Sequence, residues 1–175
     1  MLGKYNESIQ AYDKAIEINS TFAWPWNNKG NSRKDLGKYN ESIETYNKAL
    51  QIDPKYKLAW YNKGVALDNL GKYNESIKAY DKAIQLDPKY AGACNNKGIA
   101  LAKQGEYNES IQCFDKAIEI NPQYAKAWDN KGVTLRRQGK YDEAIQAPEQ
   151  LILNHLHKNT DFRLDLLQSR CYLVL

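Results

Sequence analysis

KLAWYNKGVALDNLGKYNESIKAYDKAIQLDPKY, residues 57–90, carries its own punctuation. Gly71 suits the left-handed conformation that ends a helix, and Asn74 just after it is a favoured N-cap for the next one. Asp87-Pro88 closes the second segment, because proline disfavours helical geometry in the residue before it. The stretch therefore predicts two helices joined by a short turn. It also recurs. Glycines stand at Gly3, Gly37, Gly71, Gly105 and Gly139, always 34 residues apart, and each is followed two residues later by Tyr5, Tyr39, Tyr73, Tyr107 or Tyr141. A fixed period of this length means a stack of helical hairpins that share one core, since a single hairpin buries too little surface.

We number each repeat so that Trp60 is position 4. Helix A is then predicted at positions 1–14 and helix B at 18–31, with the N-cap Asn at 18. Gly at position 8 and Ser or Ala at 20 are small enough to let the two axes approach. Tyr or Phe at 24 and Ala at 27 are expected to face the neighbouring unit. Trp at 4, Gly at 8, Tyr at 17, an aromatic at 24, Ala at 27 and Pro at 32 resemble the tetratricopeptide repeat family over residues 1–147. The WNNKG, WYNKG, CNNKG and WDNKG segments most resemble prokaryotic, archaeal, tandem arrays. The resemblance implies an all-α, right-handed α-solenoid of tandem 34-residue repeats, with helix A lining a concave groove and helix B outside. It also implies a non-enzymatic scaffold for protein–protein interaction.

The expected organisation is a half repeat (1–22), three repeats (23–56, 57–90, 91–124), a partial fourth (125–147) and a divergent tail (148–175). The chain starts at position 13, so the first unit has a helix B without a helix A. Pro148 falls at position 24 of the last unit, where it would break helix B.

Composition narrows the function. The net charge of +4 lies wholly in the repeats and is too small to argue for nucleic acid or membrane. Three cysteines, Cys94, Cys113 and Cys171, lack metal-ligand spacing and read as free thiols of a reducing compartment. No apolar stretch resembles a signal peptide or a membrane span. A cytoplasmic protein is expected. His155 and His157 have no supporting ligands, and no phosphate loop, nucleophile elbow or nucleotide fingerprint occurs. Neither a cofactor nor a catalytic activity is expected, and the helix B carboxylates read as a solvated outer face.

Helix A turns about 100° per residue, which puts positions 8 and 11 within about 40° of Trp60 and position 6 about 200° away. Asn28, Asn62, Asn96 and Asn130 should then form a column facing the groove. An amide offers both donors and an acceptor, so such a ladder can bond an extended peptide backbone without reading its side chains. The resemblance extends to peptide-binding superhelices such as those of the O-linked N-acetylglucosamine transferases. The other account is that each Asn bonds a neighbouring helix and sets the repeat angle. Around the column, Leu58, Tyr61, Val65 and Ile99 give an apolar middle, and Lys103, Lys126, Arg136 and Arg137 a basic end. A peptide with apolar anchors and an acidic end would complement them.

Lys29, Lys63, Lys97 and Lys131 at position 7 lie about 60° from the packed stripe. Their stems should cover the inter-repeat seam while the ammonium reaches water or a carboxylate. The uncovered Ile9, Tyr12 and Ile16 and the apolar CYLVL ending raise a second functional class, self-association as a homodimer or head-to-tail stack.

Overall fold

A computed structural model describes residues 2–145. Eight helices run in order: α1 (Leu2–Ile18), α2 (Ala23–Asp35), α3 (Tyr39–Ile52), α4 (Lys57–Asn69), α5 (Tyr73–Leu86), α6 (Ala91–Gln104), α7 (Tyr107–Ile120) and α8 (Ala125–Arg137). Residues 141–145 are helical as well. Each helix packs on the next, and the A helices α2, α4, α6 and α8 also touch one another in series, whereas successive B helices do not. The A helices are therefore the inner rank and the B helices the outer one. This is the all-α tandem solenoid expected from the period.

The turn between A and B repeats to within tenths of an ångström. Gly37, Gly71, Gly105 and Gly139 have φ of 76°, 72°, 86° and 84°. The following N–H reaches back over five residues in every case: Lys38 to Arg33 at 2.9 Å, Lys72 to Leu67 at 3.0 Å, Glu106 to Leu101 at 3.0 Å and Lys140 to Leu135 at 2.9 Å. Paired with the glycine N–H to the carbonyl three residues earlier, this is a Schellman ending. A side chain at that φ would clash with its own backbone.

Two details of the helix starts differ from expectation. Helix B begins at Tyr39, Tyr73 and Tyr107, and its N-caps are Lys38, Lys72 and Glu106, none with a side-chain cap bond. The Asn at position 18 lies inside the first turn because the Schellman turn delivers the chain already aligned for helix. Asn74 and Asn108 accept inter-repeat bonds instead, from Gln104 at 2.7 Å and Gln138 at 2.6 Å. The first B helix starts earlier still, at Leu2, with Gly3 in helical geometry.

At the other end of helix B the expectation holds. Asp53, Asp87 and Asn121 are extended (φ −129°, −141° and −136°), and the backbone stops helical bonding there. The Trp60 indole N–H then donates to the Pro54 carbonyl at 2.9 Å, and Trp128 repeats this to Pro122 at 3.0 Å.

The core lies between the helices of one hairpin. Tyr46, Tyr80 and Phe114 at position 24 are buried, and their rings lie over Gly30, Gly64 and Gly98 of their own helix A. Position 24 thus faces its own hairpin partner, not the neighbouring unit as expected, because position 8 supplies the bare backbone that a flat ring needs. Position 27 does bridge units: Ala117 packs with Cys94 of its own repeat and Ala127 of the next. The buried hydroxyls have matched acceptors. Tyr46 donates to Asn31 and Tyr80 to Asp68, each at 2.8 Å. Phe114, which has no hydroxyl, sits in the repeat with Ile99 and Ala102 at those acceptor positions.

Burial raises the Asp68 carboxyl above the ordinary aspartate value, against the opposing bonds from Ser76 and Tyr80. The native state therefore takes a proton more readily than the unfolded chain, so this group gains stability as pH falls through its raised pKa. Relative to Asp68→Asn, the parent should gain stability between neutrality and the ordinary value of 3.8. Chemical denaturation at stepped pH checks this, and a parallel pH course for the two proteins would refute it. The expectations for Pro148, His155, His157, Cys171 and the CYLVL ending lie outside the described residues.

Candidate protein-binding face

The inner face is built from helix A alone, so its geometry follows from how successive A helices touch. Each contact is a hydrogen-bonded rung. The Asn62 amide donates to Asn27 Oδ1 at 3.1 Å, Asn96 to the Tyr61 hydroxyl at 3.0 Å and Asn130 to Asn95 Oδ1 at 2.9 Å. Every rung thus joins position 6 of one repeat to position 5 of the repeat before. Within a repeat, Asn27 donates to Asn28 at 3.2 Å and Asn95 to Asn96 at 3.1 Å. The result is a relay from Asn130 through Asn95 and Asn96 to Tyr61.

At position 5, Asn27 and Asn95 are only 3% exposed, Tyr61 is half-buried and Asp129 is exposed. Asn28, Asn62, Asn96 and Asn130 are half-buried and line up along the rungs. An amide carries two N–H groups, and each rung uses one of those on Asn62, Asn96 and Asn130. The carbonyl oxygens of Asn62 and Asn130 accept no bond among the described residues.

Tyr61 sits at the middle of this face. Its ring packs against Tyr80 and Tyr90, with centroids 5.9 and 4.9 Å away. Burial pushes the Tyr61 hydroxyl up from its ordinary value, and the same cause pushes Tyr90 up to about 12. Both stay neutral donors at physiological pH. Gly92 at position 2 leaves room beside them, where a Cβ would stand 3.3 Å from the Tyr90 ring and 4.0 Å from the Tyr61 oxygen. Val65 and Ile99 are half-buried and Leu58 is exposed. Lys103 lies over the Tyr73 ring at 5.1 Å, towards the preceding B helix. Lys126, Arg136 and Arg137 are exposed.

The position-7 lysines face the other way. Lys29 bonds Asp13, and Lys97 and Lys131 bond Asp81 and Asp115 at 2.6 Å. Each pair crosses from helix A to the preceding helix B, which is the seam role expected of these lysines. The acids stand at position 25, so part of the outer carboxylate set has a structural task that a solvated-face reading overlooked. The aligned repeats contained the signal, as Asp, Asn, Asp and Asp at Asp13, Asn47, Asp81 and Asp115.

The repeat before Lys63 carries the exception, Asn47, and Lys63 lies over the Trp60 ring at 5.3 Å. Burial lowers its pKa, opposed by Glu75, whereas Lys97 is raised: there burial is outweighed by the bond and charge of Asp81. We expect Lys97→Met to lose up to about 1 kcal/mol, the usual worth of a half-exposed pair. Lys63→Met should keep or gain stability. Urea midpoints of the two variants decide it, and the reverse order would remove the seam role.

Among the described residues, no cluster of three or more His, Cys, Asp or Glu could hold a metal ion, and no helix is long and apolar enough to cross a membrane. Cys94 and Cys113 are free thiols that burial pushes up, Cys113 to about 11. They are held as thiols.

No curated protein matches the chain in sequence. Two crystal structures of MamA superpose with TM-scores of 0.81 and 0.80 at 25% identity. The match covers 90% and 92% of this chain and 92% and 87% of theirs. A MamA fragment from Desulfovibrio magneticus RS-1 gives 0.80 at 19% identity, over 91% of this chain and 89% of that one. Tetratricopeptide repeat profiles match residues 58–90, 91–124 and 113–146, and a TPR repeat profile matches 2–37 and 30–71. Such arrays serve as scaffolds for protein–protein interaction. With these matches running along almost all of its described length, the chain belongs to the tetratricopeptide repeat family.

Proposed function

We propose that the inner face holds an extended segment of a protein partner, with the position-6 amides bonding its backbone. One observation carries this reading: each rung uses only one of the two N–H groups of the half-buried Asn62, Asn96 and Asn130, and the carbonyl oxygens of Asn62 and Asn130 accept no bond among the described residues. The two accounts of the asparagine column are then compatible, because the bond that sets the repeat spacing also fixes the direction of the remaining N–H. Repeat layers about 10 Å apart match about three residues of extended chain. The apolar middle around Leu58, Tyr61, Val65 and Ile99 selects anchoring side chains. The exposed Lys103, Lys126, Arg136 and Arg137 favour acidic residues towards the α8 end.

The test is an array of twelve-residue peptides with apolar centres and acidic ends, read with the parent chain and with Asn62→Ala/Asn96→Ala. We expect affinity to fall at least tenfold. The double variant also strips a donor from buried Asn27 and an acceptor from Asn95, at a stability cost of about 1–3 kcal/mol for each orphaned group. Circular dichroism at the binding temperature must therefore show it folded. A folded variant that binds as well as the parent would eliminate the amide ladder as a binding element.

A further inference from the structure

Successive B helices have no Cα atoms within 8 Å of each other, so a seam floored by a helix A separates each pair. Position 7 lies on that floor. In three seams the floor lysine is closed off by an aspartate of the preceding B helix, as with Lys97 and Asp81. Over α4 the corresponding residue is Asn47, which cannot neutralise Lys63. A cleft of 460 Å³ opens beside Lys63 on the α4–α5 hairpin, lined by Trp60, Lys63 and Leu67 from α4 and by Glu75, Lys78, Ala79, Asp81 and Lys82 from α5. Its charge is unbalanced. Asp81 is already held by Lys97 at 2.6 Å, which leaves Glu75 against Lys63, Lys78 and Lys82.

We propose that this outer cleft docks a segment of a partner protein that places a carboxylate on Lys63 and an apolar side chain against Trp60. The chain itself displays the preferred ligand: the same lysine in other repeats takes an aspartate. The aromatic ring beneath the ammonium strengthens the site for a carboxylate that excludes water, since it holds the cation in place from the apolar side. The cleft lies on the face opposite the asparagine rungs, so the proposal stands apart from the inner-face reading.

The experiment uses the full chain labelled with ¹⁵N and the blocked peptide acetyl-Leu-Asp-Asp-Leu-amide as probe. The Trp60 indole N–H, bonded to Pro54, reports on the cleft floor, and the Trp26 and Trp128 indoles serve as internal references. Saturable movement of the Trp60 signal is expected, with at least tenfold weaker binding of acetyl-Leu-Asn-Asn-Leu-amide. Asn47→Asp should weaken the peptide at least fivefold by holding Lys63 as Asp81 holds Lys97, and Lys63→Met should do the same by removing its cation. Asn47→Asp restores the residue of the other repeats, so it keeps the test valid even if Lys63→Met fails to fold. Asn62→Ala/Asn96→Ala should leave the Trp60 response unchanged. Equal affinity in Asn47→Asp, a static Trp60 signal, or equal movement of all three indoles would overturn the proposal. So would sodium acetate or phosphate reproducing the shift at matched concentration, because the site would then be one for simple anions.

Discussion

Tyr80→Ala should cost about 3–5 kcal/mol, the range of a deleted core aromatic. The ring is fully buried and fills the space between α4 and α5 that glycine at position 64 leaves. Deleting it opens a cavity against bare backbone, where nothing can relax inward without bending a helix. The polar consequence adds to this. Asp68 Oδ2 loses the hydroxyl that donates to it at 2.8 Å and keeps only the Ser76 hydroxyl on its other oxygen. Burial already disfavours that carboxylate, so losing a donor is expected to raise its pKa further. Tyr80→Phe separates the two parts and should cost about 1.5–3 kcal/mol, the worth of a hydrogen bond to a charged group. Because stability in an array sums over repeats and interfaces, global urea unfolding should be read beside amide exchange in α4 and α5. Protection lost first in those two helices is the expected pattern. A cost under 1 kcal/mol for Tyr80→Ala would show that the hairpin core is not organised around this ring.

What the chain disclosed before folding was whatever depends on local geometry. The left-handed turns at Gly37, Gly71, Gly105 and Gly139 and the extended residues before Pro54, Pro88 and Pro122 are properties of a few bonds, and the period supplied the rest of the solenoid. The N-cap was less accessible. Asn40 is a good cap in isolation, yet the Schellman turn already sets the backbone at Lys38, so the local preference lost to the neighbouring one. Choices between equivalent neighbours were harder still. An angle on a helical wheel shows that position 24 points inward, but not whether inward means its own hairpin or the next.

The inner and outer faces show the same limit. Position 6 was readable as a column. That each of its amides would bond position 5 of the preceding repeat depends on the spacing of successive A helices, which no wheel contains. The lysine and aspartate pairs were within reach. Aligning the repeats shows lysine constant at position 7 and aspartate at 25 in all but one unit. Correlated positions of opposite charge, a constant distance apart in the repeat, argue for contact across the seam. The single mismatch then marks Lys63. The hydroxyl and its acceptor vary together in the same way, as Tyr46 with Asn31 and Tyr80 with Asp68, against Phe114 with neither.

Gly64→Ala should destabilise by about 2 kcal/mol, although alanine is the better helix former. In an exposed helix the exchange would gain about 1 kcal/mol. Here the added Cβ would lie 2.6 Å from the Tyr80 ring edge, with two more ring carbons within 3.0 Å. Relief requires the buried ring or a helix axis to move by about an ångström, and overpacking of this kind costs about 1–3 kcal/mol, occasionally more. The overlap therefore outweighs the propensity, and the sign is negative. A double-mutant cycle makes the mechanism visible. In a Tyr80→Ala background the clash has no partner, the cavity accepts the methyl, and the same glycine substitution should become neutral or stabilising. That reversal of sign is the diagnostic result. If Gly64→Ala is equally harmful with and without the ring, the glycine is required by its own backbone and not by the aromatic lying over it. Gly98→Ala against Phe114 repeats the comparison without a hydroxyl, with a Cβ contact of 2.7 Å. Agreement between the two sites would assign the cost to ring packing alone, since only Tyr80 carries the Asp68 bond.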